Sequence, residues 1–106
     1  MPGGYNKENE MRIADELRDK RKEILRIAAM HGAGNISVFG SVARGDETQA
    51  SDVDLLVDIV GEPGPWFPGG LVADLEDLLG HPVQVVIRRS LSHWIRDSVQ
   101  KDASPL

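Results

Sequence analysis

The octapeptide DVDLLVDI at residues 52–59 constrains the fold more than any other stretch of the chain. Apolar and acidic residues alternate through most of it, and a period of two is the pattern of a β-strand, whose successive side chains point to opposite faces. One predicted face carries Val53, Leu55, Val57 and Ile59, and the other carries Asp52, Asp54, Leu56 and Asp58. We therefore expect a sheet with one buried face and one face that presents carboxylates.

The sequence around this strand predicts an alternation of helices and strands. Apolar residues recur at helical spacing in three segments, and two further short apolar segments are typical of strands. The predicted helices span residues 9–30, 71–79 and 91–101, the further strands lie within 36–40 and 81–90, and a single helical turn spans 41–44. This order indicates an α/β (α+β) fold, in which helices flank a small mixed β-sheet.

Length and composition predict one domain and exclude several kinds of site. The chain has 106 residues, 41% of them hydrophobic, a net charge of -5 and no cysteine. We expect a single domain over residues 1–106, with residues 1–8 flexible. The acidic balance argues against nucleic acid as a partner, and the lack of cysteine excludes disulfides and thiolate sites. No apolar run approaches the roughly 20 residues that span a membrane, and no signal peptide is recognisable, so we expect a cytoplasmic protein.

Asp52 and Asp54 are the strongest candidates for catalytic and metal-binding residues. Carboxylates two residues apart on a strand project from the same face, with Cα atoms roughly 6 to 7 Å apart. They can share a pair of divalent cations, and Mg²⁺ favours a few carboxylates completed by phosphate oxygens and water. The pair therefore predicts a site for one or two Mg²⁺ ions together with a nucleotide.

The Gly-Ser pair before this strand supplies the second half of the predicted site. A glycine at position 40 lets the backbone approach a phosphate, and the amides after it form an anion cradle with the hydroxyl of Ser41. One turn later, Arg44 can add a charge-assisted contact to phosphate. We therefore predict that Gly40, Ser41 and Arg44 bind the nucleotide. The reaction that suits such a site is attack of a hydroxyl on the α-phosphate with loss of pyrophosphate.

The segment GSVARGDETQASDVDLLVDI resembles the minimal nucleotidyltransferase (MNT) domain of the DNA polymerase β-like superfamily, whose signature is Gly-Ser, a spacer and Asp-x-Asp. The resemblance covers nearly the whole chain. It implies a small mixed sheet flanked by helices, and a Mg²⁺–ATP site formed by Gly40, Ser41, Asp52 and Asp54. Many MNT proteins are antitoxins paired with a helical HEPN toxin, and some transfer AMP from ATP to a tyrosine of that toxin. The resemblance thus implies a HEPN-type partner, while formation of a homo-oligomer stays open.

One position departs from the MNT pattern. The family has a third acidic residue on the strand after the long helix, where this chain has Gln84. An amide cannot accept a proton as a general base. Asp58 is a poor substitute because it lies about 13 Å further along its strand than Asp54. The sequence therefore allows an AMP-transferring enzyme, a nucleotide-binding antitoxin with weakened catalysis, or, less readily, transfer to a small molecule.

Two residue pairs outside the motif have open interpretations. Trp66 and Phe67 lie in a loop rich in proline and glycine, where they either cap the core or form a surface for a partner or a base. Arg88 and Arg89 follow the third predicted strand. They are either solvated or in contact with phosphate or an acidic partner.

Overall fold

A computed structural model describes residues 12–48 and 50–106 of the chain. The segment predicted to be flexible, residues 1–8, lies outside the described residues, as do residues 9–11 of the first predicted helix. The helices are α1 (Ile13–Asp19), α2 (Arg21–Met30), α3 (Gly40–Arg44), α4 (Gly69–Leu79) and α5 (His93–Asp102). The strands are β1 (Ala33–Phe39), β2 (Val53–Ile59), β3 (Val83–Ile87) and β4 (Ser104–Pro105), and a 3₁₀ turn spans Arg88–Ser90.

The strands form one mixed sheet in the order β3-β2-β1-β4. β2 runs antiparallel to β1 and parallel to β3. A parallel pair needs a crossover connection, and α4 with its flanking loops supplies it. The predicted fold class, a small mixed sheet flanked by helices, is confirmed.

The predicted apolar face of β2 forms the centre of the core. Val53, Leu55 and Val57 have no exposed surface and pack with buried residues of α1, α2 and α4. Leu56 is also fully buried, although it points to the opposite face. On that face α5 packs against α3 and β1. The sheet is thus covered fully on one face and partly on the other, which is the face that carries the aspartates.

The first helix is interrupted at Lys20, although its periodicity predicted one helix through residue 30. Lys20 leaves helical geometry with φ -103° and ψ 17°, and its Nζ donates a hydrogen bond to the carbonyl of Leu78 at 3.2 Å. The break allows α1 to pack on α3 while α2 packs on β1 and α4. Buried residues on both sides keep the helical spacing, so the sequence pattern gives no sign of a bend.

Two features of the sheet differ from the prediction. β1 begins at Ala33, three residues before the strand that the sequence predicted within 36–40, and its pairing with β2 shifts between Gly34 and Ser37. Asn35 lies at this irregularity with a left-handed φ of 49°. β4 was not predicted at all, because two residues are too few to show a period. No helix in the described part of the chain is both long and apolar enough to cross a membrane.

Candidate active site

β1, α3 and β2 bring the two halves of the sequence motif together. β1 ends at Phe39, which lies directly opposite Asp54 on β2, and α3 begins at the next residue, Gly40. Asp52 is exposed immediately before β2, and Asp54 is partly buried. The antiparallel pairing therefore places the Gly-Ser turn beside the Asp-x-Asp strand, as the predicted site requires.

Gly40 lies against the carboxylate of Asp54. Its φ is 74°, in the left-handed region, and a Cβ at this position would collide with the carboxylate oxygen Oδ2 of Asp54. Both observations require glycine, since any other residue would be strained in its backbone and would displace the aspartate. The first backbone groups of α3 are consequently in direct reach of any ligand of Asp54.

The electrostatics of Asp54 suit a cation-binding carboxylate. Burial raises the pKa of Asp54 above its ordinary value, the negative charge of Asp52 raises it further, and the positive charge of Arg44 lowers it. A divalent cation between the two aspartates would remove the like-charge repulsion that contributes to this shift. No group of three or more histidine, cysteine or acidic residues that could hold a metal occurs among the described residues. The two aspartates thus fit a metal that a nucleotide's phosphates complete.

Arg44 is close to the site but is shared with two other carboxylates. Its Nε lies 3.4 Å from Oδ2 of Asp46, and its Nη1 lies 3.9 Å from Oδ2 of Asp102 at the end of α5. The side chain of Arg44 is 49% exposed, so these long ion pairs are weak and screened by solvent. Arg44 is therefore free to turn toward a phosphate. The sequence motif gave no signal for Asp102, which the fold brings here from a distant helix.

Gln84 is the residue of β3 that pairs with Asp54. The parallel register places the Cα atoms of Asp54 and Gln84 opposite each other, and the side chain of Gln84 is exposed. Paired residues on adjacent strands project from the same face of a sheet. The amide of Gln84 thus stands beside the aspartate pair, where the MNT pattern has its third acid.

The guanidinium group of Arg88 is held by hydrogen bonds to residues of β1 and β2, so it does not take part in the candidate site. Its Nη1 donates to Oδ1 of Asp58 at 2.7 Å, and its Nη2 donates to the carbonyl of Asn35 at 3.1 Å and to Oγ of Ser37 at 3.2 Å. Hydrogen bonds from Asn35 and then from Arg88 hold the pKa of Asp58 below its ordinary value. The acidic face of β2 is therefore divided between an open end at Asp54 and a neutralised end at Asp58. Arg89, by contrast, is exposed.

The two aromatic residues of the proline-rich loop have different environments. Phe67 is partly buried and packs against the core, whereas Trp66 is 82% exposed. A cavity of about 250 Å³ lies elsewhere, between α1, α3, β1 and the last three residues of the chain, and none of the candidate site residues lines it. Two residues of the candidate site, Asp52 and Gln84, are exposed to solvent.

The sequence model of the nucleotidyltransferase domain matches residues 10–104. The chain belongs to this family. Among its relatives is a putative protein adenylyltransferase of Methanocaldococcus jannaschii, 33% identical over 87% of this chain and 96% of the relative. The protein adenylyltransferase MntA of Thermococcus cleftensis is 39% identical over 67% of this chain and 72% of its own.

Solved structures agree with the assignment of this chain to the nucleotidyltransferase family. The structure of a putative minimal nucleotidyltransferase superposes with a TM-score of 0.76 at 40% identity, covering 88% of this chain and 95% of the other. A toxin–antitoxin crystal structure with AMP-PNP superposes with a TM-score of 0.66 at 24% identity, covering 82% and 69%, which shows the same fold. The predicted membership of the MNT family is confirmed.

Proposed function

We propose that this chain is a Mg²⁺-dependent protein adenylyltransferase and the antitoxin of a toxin–antitoxin pair, which transfers AMP from ATP to a hydroxyl of a HEPN-type toxin. The observation that carries the proposal is the contact of Gly40 with Asp54, because it joins a phosphate-binding turn to a carboxylate pair. The names of the relatives support protein as the acceptor. The AMP-PNP in the structural neighbour supports ATP as the donor.

Each residue of the site has a distinct task in this reaction. Asp52 and Asp54 would hold Mg²⁺, which neutralises charge on the phosphates when it is bound. Gly40 and Ser41 seat the triphosphate through backbone amides and a hydroxyl, and Arg44 adds a positive charge. The acceptor oxygen forms a bond to the α-phosphorus, the bond from that phosphorus to the bridging oxygen breaks, and pyrophosphate leaves. The proton of the hydroxyl passes to solvent, since the neighbouring Gln84 cannot accept it.

The position of Gln84 favours one alternative function. A site with two carboxylates and an amide can still bind Mg-ATP, while its transfer rate falls by orders of magnitude for want of the third carboxylate. In that case the chain neutralises its toxin by binding. The register of Gln84 with Asp54 is the observation that supports this alternative, because the amide lies beside a residue that we propose as a metal ligand.

Labelled ATP distinguishes the two functions. The chain is incubated with ATP labelled in its α-phosphate, Mg²⁺ and the protein encoded next to it. Label on the partner that disappears in Asp54→Asn, but persists in Asp19→Asn, supports the transferase. Asp19 is a matched control, because it is an exposed aspartate at the end of α1, far from the site in sequence. A tight complex without label supports binding alone, and neither label nor complex contradicts both.

A further inference from the structure

The outer edge of β3 is an unpaired apolar strand. β3 is the first strand in the order of the sheet, so one of its edges has no neighbouring strand. Its sequence, VQVVI, contains neither a charge nor a proline. Proteins usually protect an edge with charged residues, proline, bulges or a covering segment, because a bare edge is a template for another strand. In residues 12–48 and 50–106, the protection of this edge amounts to one side chain, Glu76.

The register of β3 shows which of its backbone groups are free. The N–H of Val53 donates to the carbonyl of Pro82 at 2.8 Å, so the carbonyl of Pro82 points toward β2. Along the parallel pair, successive residues of β3 then point their backbone groups alternately toward β2 and outward. Gln84 and Val86 then direct their backbone groups to β2, and the remaining three residues of β3 direct theirs outward. The outward N–H of Val83 donates to Oε2 of Glu76 at 2.9 Å. Two outward N–H groups are left without a partner in the described structure, those of Val85 and Ile87.

The free backbone groups of β3 in one copy are complementary to the same groups in a second copy. Two antiparallel copies of β3, related by a two-fold axis at Val86, place Val85 of one copy opposite Ile87 of the second copy. In a hydrogen-bonded antiparallel pair, both residues exchange their N–H and carbonyl groups. Four hydrogen bonds then form, and they use each free N–H group of both copies while the bond from Val83 to Glu76 stays intact. A register centred on Val85 would require that bond to break.

The charges at the ends of β3 favour the same register. Arg89 is exposed and has no ion pair or side-chain hydrogen bond among the described residues. Arg89 lies in the 3₁₀ turn directly after β3, so in the register centred on Val86 it follows β3 at the end where Val83 of the second copy lies. The carboxylate of Glu76 is fixed there by its bond to the N–H of Val83. The two-fold axis repeats this pairing of opposite charges, so that both ends of the interface are complementary.

We propose that a second copy of this chain pairs with the outer edge of β3 and forms one continuous eight-stranded sheet. The two-fold axis is perpendicular to the sheet, so both candidate active sites lie on the same face. The paired strands are short, and their contact is smaller than the roughly 1,200 to 2,000 Å² of a standard interface. We therefore expect a dissociation constant on the order of 10 to 100 µM. The inference does not depend on the proposed function, because it uses the edge of the sheet alone.

Sedimentation velocity of the full chain from about 5 µM to 1 mM tests the proposal. We expect the mass to rise from one chain to two in the wild type and in Val60→Lys. Val86→Lys places two ammonium groups at the axis and should stay monomeric, and Arg89→Glu should weaken association about tenfold. Val60 is a matched control, because it is an exposed valine beyond β2. Thermal unfolding confirms that each variant is folded.

A cysteine at the axis gives an independent measurement. The chain contains no cysteine, so a single substitution reports one position. Residues facing each other in a non-hydrogen-bonded antiparallel pair have Cα atoms about 4.5 Å apart, within the range of a disulfide. Val86→Cys should form a disulfide-linked dimer under mild oxidation much faster than Val60→Cys. Equal rates of disulfide formation in the two variants would overturn the proposal. It would also be overturned if the wild type stayed monomeric, or if only a different protein bound to the outer edge of β3.

Discussion

Asp54 of β2 and Gln84 of β3 lie directly opposite each other, and this pairing places a neutral amide beside the two carboxylates of the candidate site. A third carboxylate here would add a metal ligand and a proton acceptor. Its absence is the one respect in which the candidate site departs from the MNT pattern.

Gln84→Asp is therefore predicted to raise the rate of AMP transfer about 100-fold, at the lower end of the range that a positioned general base contributes. Gln84→Asn is the control, since it keeps the amide and adds no charge. The initial rate of label transfer from ATP measures both variants. If Gln84→Asp binds Mg-ATP but transfers no faster than Gln84→Asn, an acid at this position has no role in the reaction.

Gly40→Ala is predicted to weaken Mg-ATP binding at least about tenfold and to reduce the free energy of unfolding by about 1 to 2 kcal/mol. The added Cβ would displace the carboxylate of Asp54 and strain the backbone. Gly45→Ala is a matched control, because Gly45 has a similar φ of 82° but no atom within 4 Å of an added Cβ. It should lose a similar stability and keep its affinity. Equal affinities in calorimetric titrations of the two variants would contradict a nucleotide beside Asp54.

Arg44→Ala is predicted to reduce the affinity for ATP about tenfold and to leave the weaker binding of adenosine unchanged. The reason is that Arg44 would contact the triphosphate, which adenosine lacks. Asp102→Asn should have the opposite effect and strengthen ATP binding slightly, because Asp102 competes for Arg44 at 3.9 Å. Competition with a fluorescent ATP analogue measures both. A loss of adenosine affinity equal to that of ATP would show that Arg44 supports the fold of the site instead.

The hydrogen bonds of Asp58 predict a pH-dependent contribution to stability. The pKa of Asp58 is lower in the folded chain than in the unfolded chain, so its contribution is complete above the unfolded value and lost as the pH falls through the folded one. Arg88→Ala should cost about 1 to 2 kcal/mol at pH 7, and less below about pH 4.

Urea unfolding of the wild type and Arg88→Ala at several pH values measures this difference. Arg26→Ala serves as the control, since Arg26 is exposed on α2 and should change stability by less than about 0.5 kcal/mol at any pH. A gap between wild type and Arg88→Ala that stays constant down to pH 3 would assign the stabilisation to contacts other than Asp58.

Local sequence patterns predicted those parts of the fold that depend on local periodicity. The alternation of β2 identified the buried face, and the helical spacing identified α4 and α5. The motif also predicted that Gly40 and the aspartates lie close together. In the structure this follows because β1 and β2 are antiparallel, so the end of β1 lies beside the start of β2.

The features that the sequence did not reveal depend on contacts distant in the chain. The break at Lys20 reflects the separate surfaces on which α1 and α2 pack. The approach of Asp102 to Arg44 and the capture of Arg88 by Asp58 require the positions of α5 and β3. Pairing partners of this kind have no signature in a single sequence, so neither interpretation of Arg88 from the sequence included its ion pair with Asp58.

Calorimetric titration of the chain with ATP, in the presence and absence of Mg²⁺, tests the central claim most directly. The account predicts binding that requires Mg²⁺ in the wild type, and its loss when Asp52 and Asp54 are both replaced by asparagine in a chain that still unfolds cooperatively. ATP binding of equal affinity without Mg²⁺, or unchanged binding in the double variant, would contradict a metal–nucleotide site at these aspartates.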